Sequence, residues 1–592
     1  MQSRKVSTFL VFFLLLSFIF PCFVFGDAST TTEGTAYKSL DANTEMYAVT
    51  DSSRGNYVNY GMKNEQSNGV YYGRIARGGT TLTGQYGLIN LEDLSDESIV
   101  SFYYGLDDNY SLEYWSYLYG KALDGNRALL INLNYIQEGK DCLLVSNGYY
   151  DSKLIDAFKY LNTLSCPTFV RIGGEMNVWS NPASVEEYIS SYNHIGRIAR
   201  KYSPNTALIY SPNYSSAYKV DMDMYYPDDS YVDWVGTSLY YNKYSNNGDR
   251  ERDEFYGVGK YGDALLNIQQ TVNLSRLHKK PIIITEGGSH ITRDGIDTSY
   301  FAAERIEKAY SYLTMVYPEI KAIIYSDADF GYSTTKYQLS SNFTVKNAYE
   351  SATSKNKTLL HSIKDKGLYY STLNSLYAND WFGTMEFAAY SYSSDKLECS
   401  WYIDDKWIHS SKEYPFTFKY NVDTLSTGTH TISVKFSNGA TKSHTFKVGV
   451  ASATPTDNDL YVDNKLVQAK VYKINDNNYF KVRDVAYILN NSESQFSVEY
   501  NSLSNSVELV GGKEYKSVGG ELFVDGSKEV ETAYKTSNKI YINGKLVELV
   551  VYNINDNNYF KLRDLGSALD FYVGYDSKTN SILIDSSKRY TD

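Results

Sequence analysis

The chain has 592 residues, 42% of them hydrophobic and 21% charged, a composition that fits a globular protein of several domains and not a disordered one. Its formal net charge of −12 excludes a non-specific nucleic-acid binder, because such binding rests on Lys and Arg contacts to phosphate. With 7 His and 4 Cys it is neither a multi-metal enzyme nor a disulfide scaffold, while 60 Tyr imply surfaces or clefts that use both an apolar face and a hydroxyl.

Arg4 and Lys5 precede an apolar run from Phe9 to Phe25, and Gly26 stands before Asp27. This pattern predicts a secretory signal peptide over 1–26 and a secreted protein, the run being short for a membrane span. No later segment is apolar enough to cross a bilayer. Cys142, Cys166 and Cys399 then remain, widely spaced, and read as small buried hydrophobes, with a Cys142–Cys166 bridge left open. Residues 27–69 are polar and read as an N-terminal extension.

From 70 to 354, β-rich apolar runs alternate with amphipathic stretches. The runs are Val70–Ala76, Ile99–Tyr104, Ala128–Asn132, Thr168–Ile172, Ala207–Ser211, Val232–Ser238, Pro281–Thr285 and Ile320–Ser326. Helical patterns lie between them over Lys153–Leu164, Val185–Tyr202, Tyr261–His278 and Tyr300–Tyr317. A doubly wound sheet gives the same alternation; the count of eight favours a (β/α)8 TIM barrel, an α/β fold. Residues 355–379 read as a linker, helical over Thr358–Leu376. Period-two alternation follows over Lys396–Ile403, Pro415–Asn421 and Gly428–Phe436, with turns at Asp404-Asp405 and Asn438-Gly439. This predicts a small β-sandwich over 380–450 that resembles bacterial immunoglobulin-like modules.

The stretch from Ser452 to Asn458 is a linker, and the last zone, 451–592, is an internal repeat. Leu460-Tyr-Val-Asp-Asn-Lys-Leu-Val is echoed 80 residues later by Ile540-Tyr-Ile-Asn-Gly-Lys-Leu-Val. Tyr472-Lys-Ile-Asn-Asp-Asn-Asn-Tyr-Phe-Lys-Val-Arg-Asp recurs from Tyr552 at the same offset. The repeats, about 459–515 and 539–586, resemble the α/β stalk modules named after the N-terminal domain of copper amine oxidase. The resemblance implies spacers or cell-wall attachment. A copper centre needs clustered His ligands, and no His follows His444, so no cofactor and no metal are expected.

Two apolar runs end in Glu: Thr168-Phe-Val-Arg171-Ile-Gly-Gly-Glu175-Met-Asn177 and Pro281-Ile-Ile-Ile-Thr-Glu286-Gly-Gly. They fall on the fourth and seventh strands of the barrel, 111 residues apart, which agrees with three β/α units. Strand C-terminal ends face the active site of such a barrel. Two carboxyl groups with different tasks suit glycoside hydrolysis. One must hold a proton near neutral pH; the other must stay ionised, which Arg171 and a Tyr hydroxyl can secure.

Residues 71–350 resemble clan A glycoside hydrolases, and family 26 in particular. The resemblance is carried by Asn147-Gly-Tyr-Tyr-Asp151, by Pro167 to Trp179 around the first Glu, by Ser211-Pro-Asn213, by Val232 to Tyr240 and by Thr285-Glu286-Gly-Gly. It implies Glu175 as general acid/base and Glu286 as nucleophile. It also implies Tyr240 as a hydrogen-bond donor to the nucleophile, Arg171 as the cation that keeps it ionised, and Asn177, Trp179 and Asn213 as sugar contacts. Mannan-cleaving members usually carry His immediately before the acid/base; here Gly174 stands there, so the polysaccharide stays open. Asp327 and Asp329, at the end of the eighth run, read either as sugar ligands or as solvated loop charges, and His290 reads as a loop hydrogen-bonder. The expected function is a secreted retaining β-glycoside hydrolase, endo-β-mannanase-like, whose partner is a polysaccharide. The alternative is a non-catalytic glycan-binding or envelope protein on a barrel scaffold.

Overall fold

The computed structural model describes residues 44–591, apart from 52–53, 55–56, 78–96, 124, 136–140, 178–183, 215–220, 244–261, 294, 328–335, 378–380 and 394–395. The expected signal segment, 1–26, lies outside the described residues. Among these, no helix is long and apolar enough to cross a membrane.

Strand β1 (Thr44–Thr50) precedes the barrel strands β2 (Val70–Arg77), β3 (Ile99–Gly105), β4 (Ala128–Asn134), β5 (Thr168–Ile172), β6 (Ala207–Tyr210), β7 (Trp234–Tyr240) and β8 (Ile282–Gly288). An eighth barrel strand, Ile320–Tyr325, pairs in parallel with both β8 and β2, and so closes the cylinder. The pairing is parallel throughout, and strands such as Ala128–Asn134 are buried on both faces, which is why they read as unbroken apolar runs.

Side chains alternate along each strand. One set points inward and forms an apolar floor that includes Tyr71, Ile99, Leu130, Phe169, Ile209, Trp234 and Ile283. The other set points outward. Phe102, Ile131, Val170 and Tyr210 pack there against Leu154 and Phe158 of helix α1 (Asp151–Leu161) and Tyr188, Tyr192 and Ile195 of helix α2 (Val185–Tyr202). Helix α2 starts where expected because Ser184 and Glu187 form a reciprocal capping box.

The segment read as an N-terminal extension is part of two bodies. Residues 57–69 close the base of the barrel: the Asn64 amide donates to the Thr168 carbonyl at 2.9 Å, and the Trp234 indole donates to the Lys63 carbonyl at 2.8 Å. Strand β1, further upstream, belongs to the β-sandwich, where it lies antiparallel between Tyr369–Thr372 and Thr384–Ser391. The segment read as a helical linker is also different. It carries the strands Leu359–Leu360, which pairs with β2, and Tyr369–Thr372, which pairs with β1. Strand pairing across the fold overrides the local helical pattern there.

The sandwich thus has two antiparallel four-stranded sheets. Phe387 and Phe418 of one sheet meet Trp401 of the other, with ring centroids 6.5 and 4.8 Å away. The two repeats are not beads in series. The hairpin that opens the first repeat (Asp459–Val462, Lys465–Val467) pairs with the hairpin that ends the second (Tyr572–Asp576, Ser581–Asp585). The last hairpin of the first repeat pairs in turn with the opening hairpin of the second. Six further strands close a small barrel drawn from both repeats and the segment before each, so most of the stretch read as a linker is the strand Val450–Pro455. Cys142, Cys166 and Cys399 are free thiols.

Candidate active site

The inward layer changes character toward the C-terminal ends of the barrel strands. Above the apolar floor lie Tyr103 on β3, Asn132 on β4, Arg171 on β5, Ser211 after β6, Ser238 and Tyr240 on β7, and Glu286 on β8. Glu286 reaches this layer through a β-bulge. The β7–β8 register slips between the Thr237–Ile284 and Ser238–Glu286 pairs, which leaves Thr285 as the extra residue. Thr285 hydrogen-bonds Ser211 Oγ at 3.0 Å, while Glu286 hydrogen-bonds Ser238, so two consecutive side chains face the barrel interior.

Four donors surround the Glu286 carboxylate. Arg171 Nη1 and Ser238 Oγ donate to Oε1, each at 2.8 Å. The Tyr103 hydroxyl donates to Oε2 at 2.5 Å, and the Tyr240 hydroxyl reaches the same oxygen at 3.4 Å. Burial pushes the Glu286 pKa up, but the Arg171 charge and the hydrogen bonds from Tyr103, Ser238 and Arg171 outweigh it and hold the carboxyl below its usual range. Burial and the neighbouring Glu286 charge push the Tyr103 and Tyr240 hydroxyls well above theirs, so both remain protonated donors.

Arg171 is held as tightly as the carboxylate it serves. Nε donates to Ser211 Oγ at 3.0 Å and Nη2 to Ser238 Oγ at 2.7 Å. Its guanidinium lies against Gly174, where a Cβ would overlap Nε and Cζ. Gly174 is therefore the matching half of this arginine's position. No side chain, His included, fits before Glu175 while Arg171 stays where it is.

Glu175 follows in the left-handed region at φ +62°, a conformation that costs a non-glycine residue on the order of 1–3 kcal/mol and clusters at functional sites. Its N–H is pinned to the Ser211 carbonyl at 2.9 Å, and Asn213 Nδ2 donates to Oε1 at 2.6 Å. Asn213 is set by Asn177, whose Oδ1 accepts from the Asn213 N–H at 2.8 Å and whose Nδ2 donates to the Asn213 carbonyl at 2.9 Å. The two carboxylates act on one cluster. The Glu175 charge adds to that of Glu286 in raising the Tyr103 and Tyr240 hydroxyls and in favouring the Arg171 cation.

The structure therefore brings together Glu175, Glu286, Arg171, Asn213 and Tyr240. Asn177 holds the loop that carries Asn213: both halves of its amide engage the Asn213 backbone. Trp179 and Asp329 lie outside the described residues. Asp327 is not a solvated loop charge: it is buried and accepts from Arg74 Nη1 at 2.8 Å and from the Leu339 N–H at 2.7 Å. Arg74 in turn donates to Glu97 at 2.6 Å. His290 is buried beside Tyr337, and its N–H donates to Asn242 Oδ1. Sequence reasoning does not single out Tyr103, Ser238 or Ser211. Ser238 lies within the Val232 to Tyr240 motif and Ser211 opens Ser211-Pro-Asn213, while Tyr103 shares inward parity with Ile99. Among the described residues, no group of three or more His, Cys, Asp or Glu is placed to hold a metal ion.

No known family's sequence profile matches the chain, and no curated protein does. Similar solved structures include a GH26 β-mannanase from Bacteroides ovatus, 15% identical, which covers 50% of this chain and 92% of its own with a TM-score of 0.33. A GH26 endo-β-1,4-mannanase from Bacillus sp. is 16% identical, covering 53% and 94% with a TM-score of 0.35. A β-glucuronidase from Bacteroides uniformis is 11% identical, covering 65% and 46% with a TM-score of 0.31. At these identities and TM-scores the likenesses assign no activity to this chain, and the site is read from its own geometry.

Proposed function

We propose that the protein is a secreted retaining β-glycoside hydrolase that cleaves a β-linked polysaccharide. One observation carries this reading: a buried carboxylate, Glu286, kept ionised by Arg171 and hydroxyl donors, shares a single electrostatic cluster with a second carboxyl, Glu175, at the mouth of a barrel. Glu175 donates a proton to the glycosidic oxygen as a Glu286 oxygen attacks the anomeric carbon, and the bond to the leaving sugar breaks. A water molecule, deprotonated by Glu175, then displaces Glu286 from that carbon. Asn213 orients the acid/base. The close set of donors on Glu286 suits a nucleophile, which must be held in line and ionised, better than a base that needs room for a water. Export by the 1–26 segment and cell-wall attachment through the interlocked repeats complete the proposal.

The test is trapping. A 2-deoxy-2-fluoro glycosyl fluoride of the right sugar should inactivate the enzyme and add one glycosyl mass to the peptide containing Glu286. Release of a product with inverted anomeric configuration, or a label on another residue, would refute the double displacement.

A further inference from the structure

Strand β3 supplies Tyr103 to the nucleophile, and the chain that leaves its end carries a cluster of exposed aromatic side chains. Tyr110, Tyr114 and Tyr117 are 49%, 50% and 58% exposed. The Tyr110 and Tyr114 rings stack with centroids 4.2 Å apart and planes at 14°, and Trp115 packs edge-on against both. Water-exposed aromatic surface of this extent in a single loop marks a binding site more often than chance exposure.

The platform is built. The Trp115 indole donates to Asp108 Oδ2 at 3.0 Å, and the Tyr110 N–H donates to Asp108 Oδ1 at 3.0 Å. Leu112 is buried beneath, where its carbonyl accepts from the Tyr119 hydroxyl. The Tyr104 hydroxyl, on the outward face of β3, donates to the Tyr110 carbonyl at 3.3 Å and ties the loop to the strand end. Lys153 Nζ donates to the Leu106 and Asp108 carbonyls and staples the loop to helix α1. Tyr110 lies seven positions after Tyr103, a stretch that fully extended spans at most about 25 Å. Tyr110 therefore lies no more than about 25 Å from Tyr103, beyond the strand end that carries the candidate site.

We infer that Tyr110, Tyr114, Trp115 and Tyr117 form a distal subsite that stacks on a neutral β-linked polysaccharide whose scissile bond lies at Glu175 and Glu286, so that the enzyme is endo-acting. Ring faces suit the apolar C–H faces of equatorial sugars. The loop's ionisable side chains, Asp107, Asp108 and Glu113, are all acidic. Lys153 offsets one of these three charges, and the net negative remainder disfavours a uronate-rich polymer or an anionic membrane surface. The inference rests on the hydrolase reading for the polymer's placement, but its binding test does not need turnover.

The full-length Glu286→Gln chain is run in native gels cast with galactomannan, xylan, mixed-linkage β-glucan or polygalacturonate, with and without Tyr110→Ala/Tyr114→Ala. At least one neutral polymer should retard the Glu286→Gln chain, and the added pair should raise the apparent Kd about tenfold. Tyr110→Phe/Tyr114→Phe, which keeps the rings, should retain binding. If the alanine pair fails to fold by circular dichroism, Tyr117→Ala is read in its place. Equal retardation with and without the substitutions overturns the inference, as does retardation by polygalacturonate alone or by no polymer. A shift from dimer to monomer on substitution also overturns it, because the patch is then an interface between copies. With Glu286 intact, the pair should lower kcat/KM on the polymer about tenfold more than on a short aryl glycoside. An enzyme that hydrolyses nothing refutes the proposed function, while the gels still decide the subsite.

Discussion

Two closed sheets in this molecule, one parallel and one antiparallel, are put to opposite ends. The parallel barrel comes from one stretch of chain, and its inward layer turns from apolar to charged at one rim, where Arg171 and Glu286 are neutralised by each other and steadied by hydroxyls. The six-stranded barrel at the C-terminus comes from two copies of one sequence, and its interior is Ala, Ile and Tyr throughout. There the ring pairs Tyr472–Tyr559 and Tyr479–Tyr552, 5.2 and 5.4 Å apart, exchange under the 80-residue offset. A burial pattern that is self-consistent end to end makes a support. One that concentrates strained backbone and unlike charges at one rim makes a site.

The sharpest way to break this comparison is to alter the rim and leave the support alone. Glu286→Gln should lower turnover by about 10⁴-fold or more while circular dichroism reports an intact fold, since nucleophile loss removes the covalent route. Gly174→Ala should cost about 10²- to 10³-fold, because the new Cβ displaces Arg171 from the carboxylate, a loss comparable to removing a preorganised donor. The reverse experiment touches only the support. Phe480 and Phe560 sit opposite each other, fully buried, across the seam between repeats. Phe560→Ala should destabilise the C-terminal body by about 3–5 kcal/mol. Hydrogen exchange should then rise at Asp459–Val462 of the first repeat as well as in the second, with turnover of a short substrate unchanged. Faster exchange confined to the second repeat would contradict the interlocking.

The smallest effect sharpens the electrostatic side. Tyr103→Phe removes a hydrogen bond to a charged group, about 1.5–3 kcal/mol, or roughly 10- to 100-fold in kcat/KM. It also removes one of the causes that hold Glu286 low. Because the folded carboxyl lies below its ordinary value, its ionised form and the stability it contributes are complete above the ordinary carboxylate range and are lost as pH falls through the depressed value. In the variant the acid limb of kcat/KM should therefore move to higher pH. An unmoved limb would mean that Tyr103 does not tune the carboxylate.

Much of the barrel was legible because a strand buried on both faces has to be a short apolar run, and a carboxylate beside paired glycines at the end of such a run belongs at the rim. The chain shows Glu175 and Glu286 in that way. It does not show Tyr103, because a Tyr on an aromatic-rich strand looks the same whether it points in or out. Arg171 was readable, but its dependence on Gly174 was not, since the clash appears only once the guanidinium is placed. The sandwich strand β1 was hidden for a different reason. Seven residues with mixed pattern show nothing of partners more than 300 positions away. The interlocking of the repeats was equally invisible, because tandem copies have the same sequence whether they stack in series or exchange hairpins.

Strand β1 also sets an order of events during synthesis. Ala48 pairs with Phe387, so at about 5–20 residues per second the ribosome delivers the partner roughly 17–70 s after the strand itself. The barrel between them can be complete before the clasp shuts, and a chain halted before Tyr369 leaves Met46 and Tyr47 without either neighbouring strand.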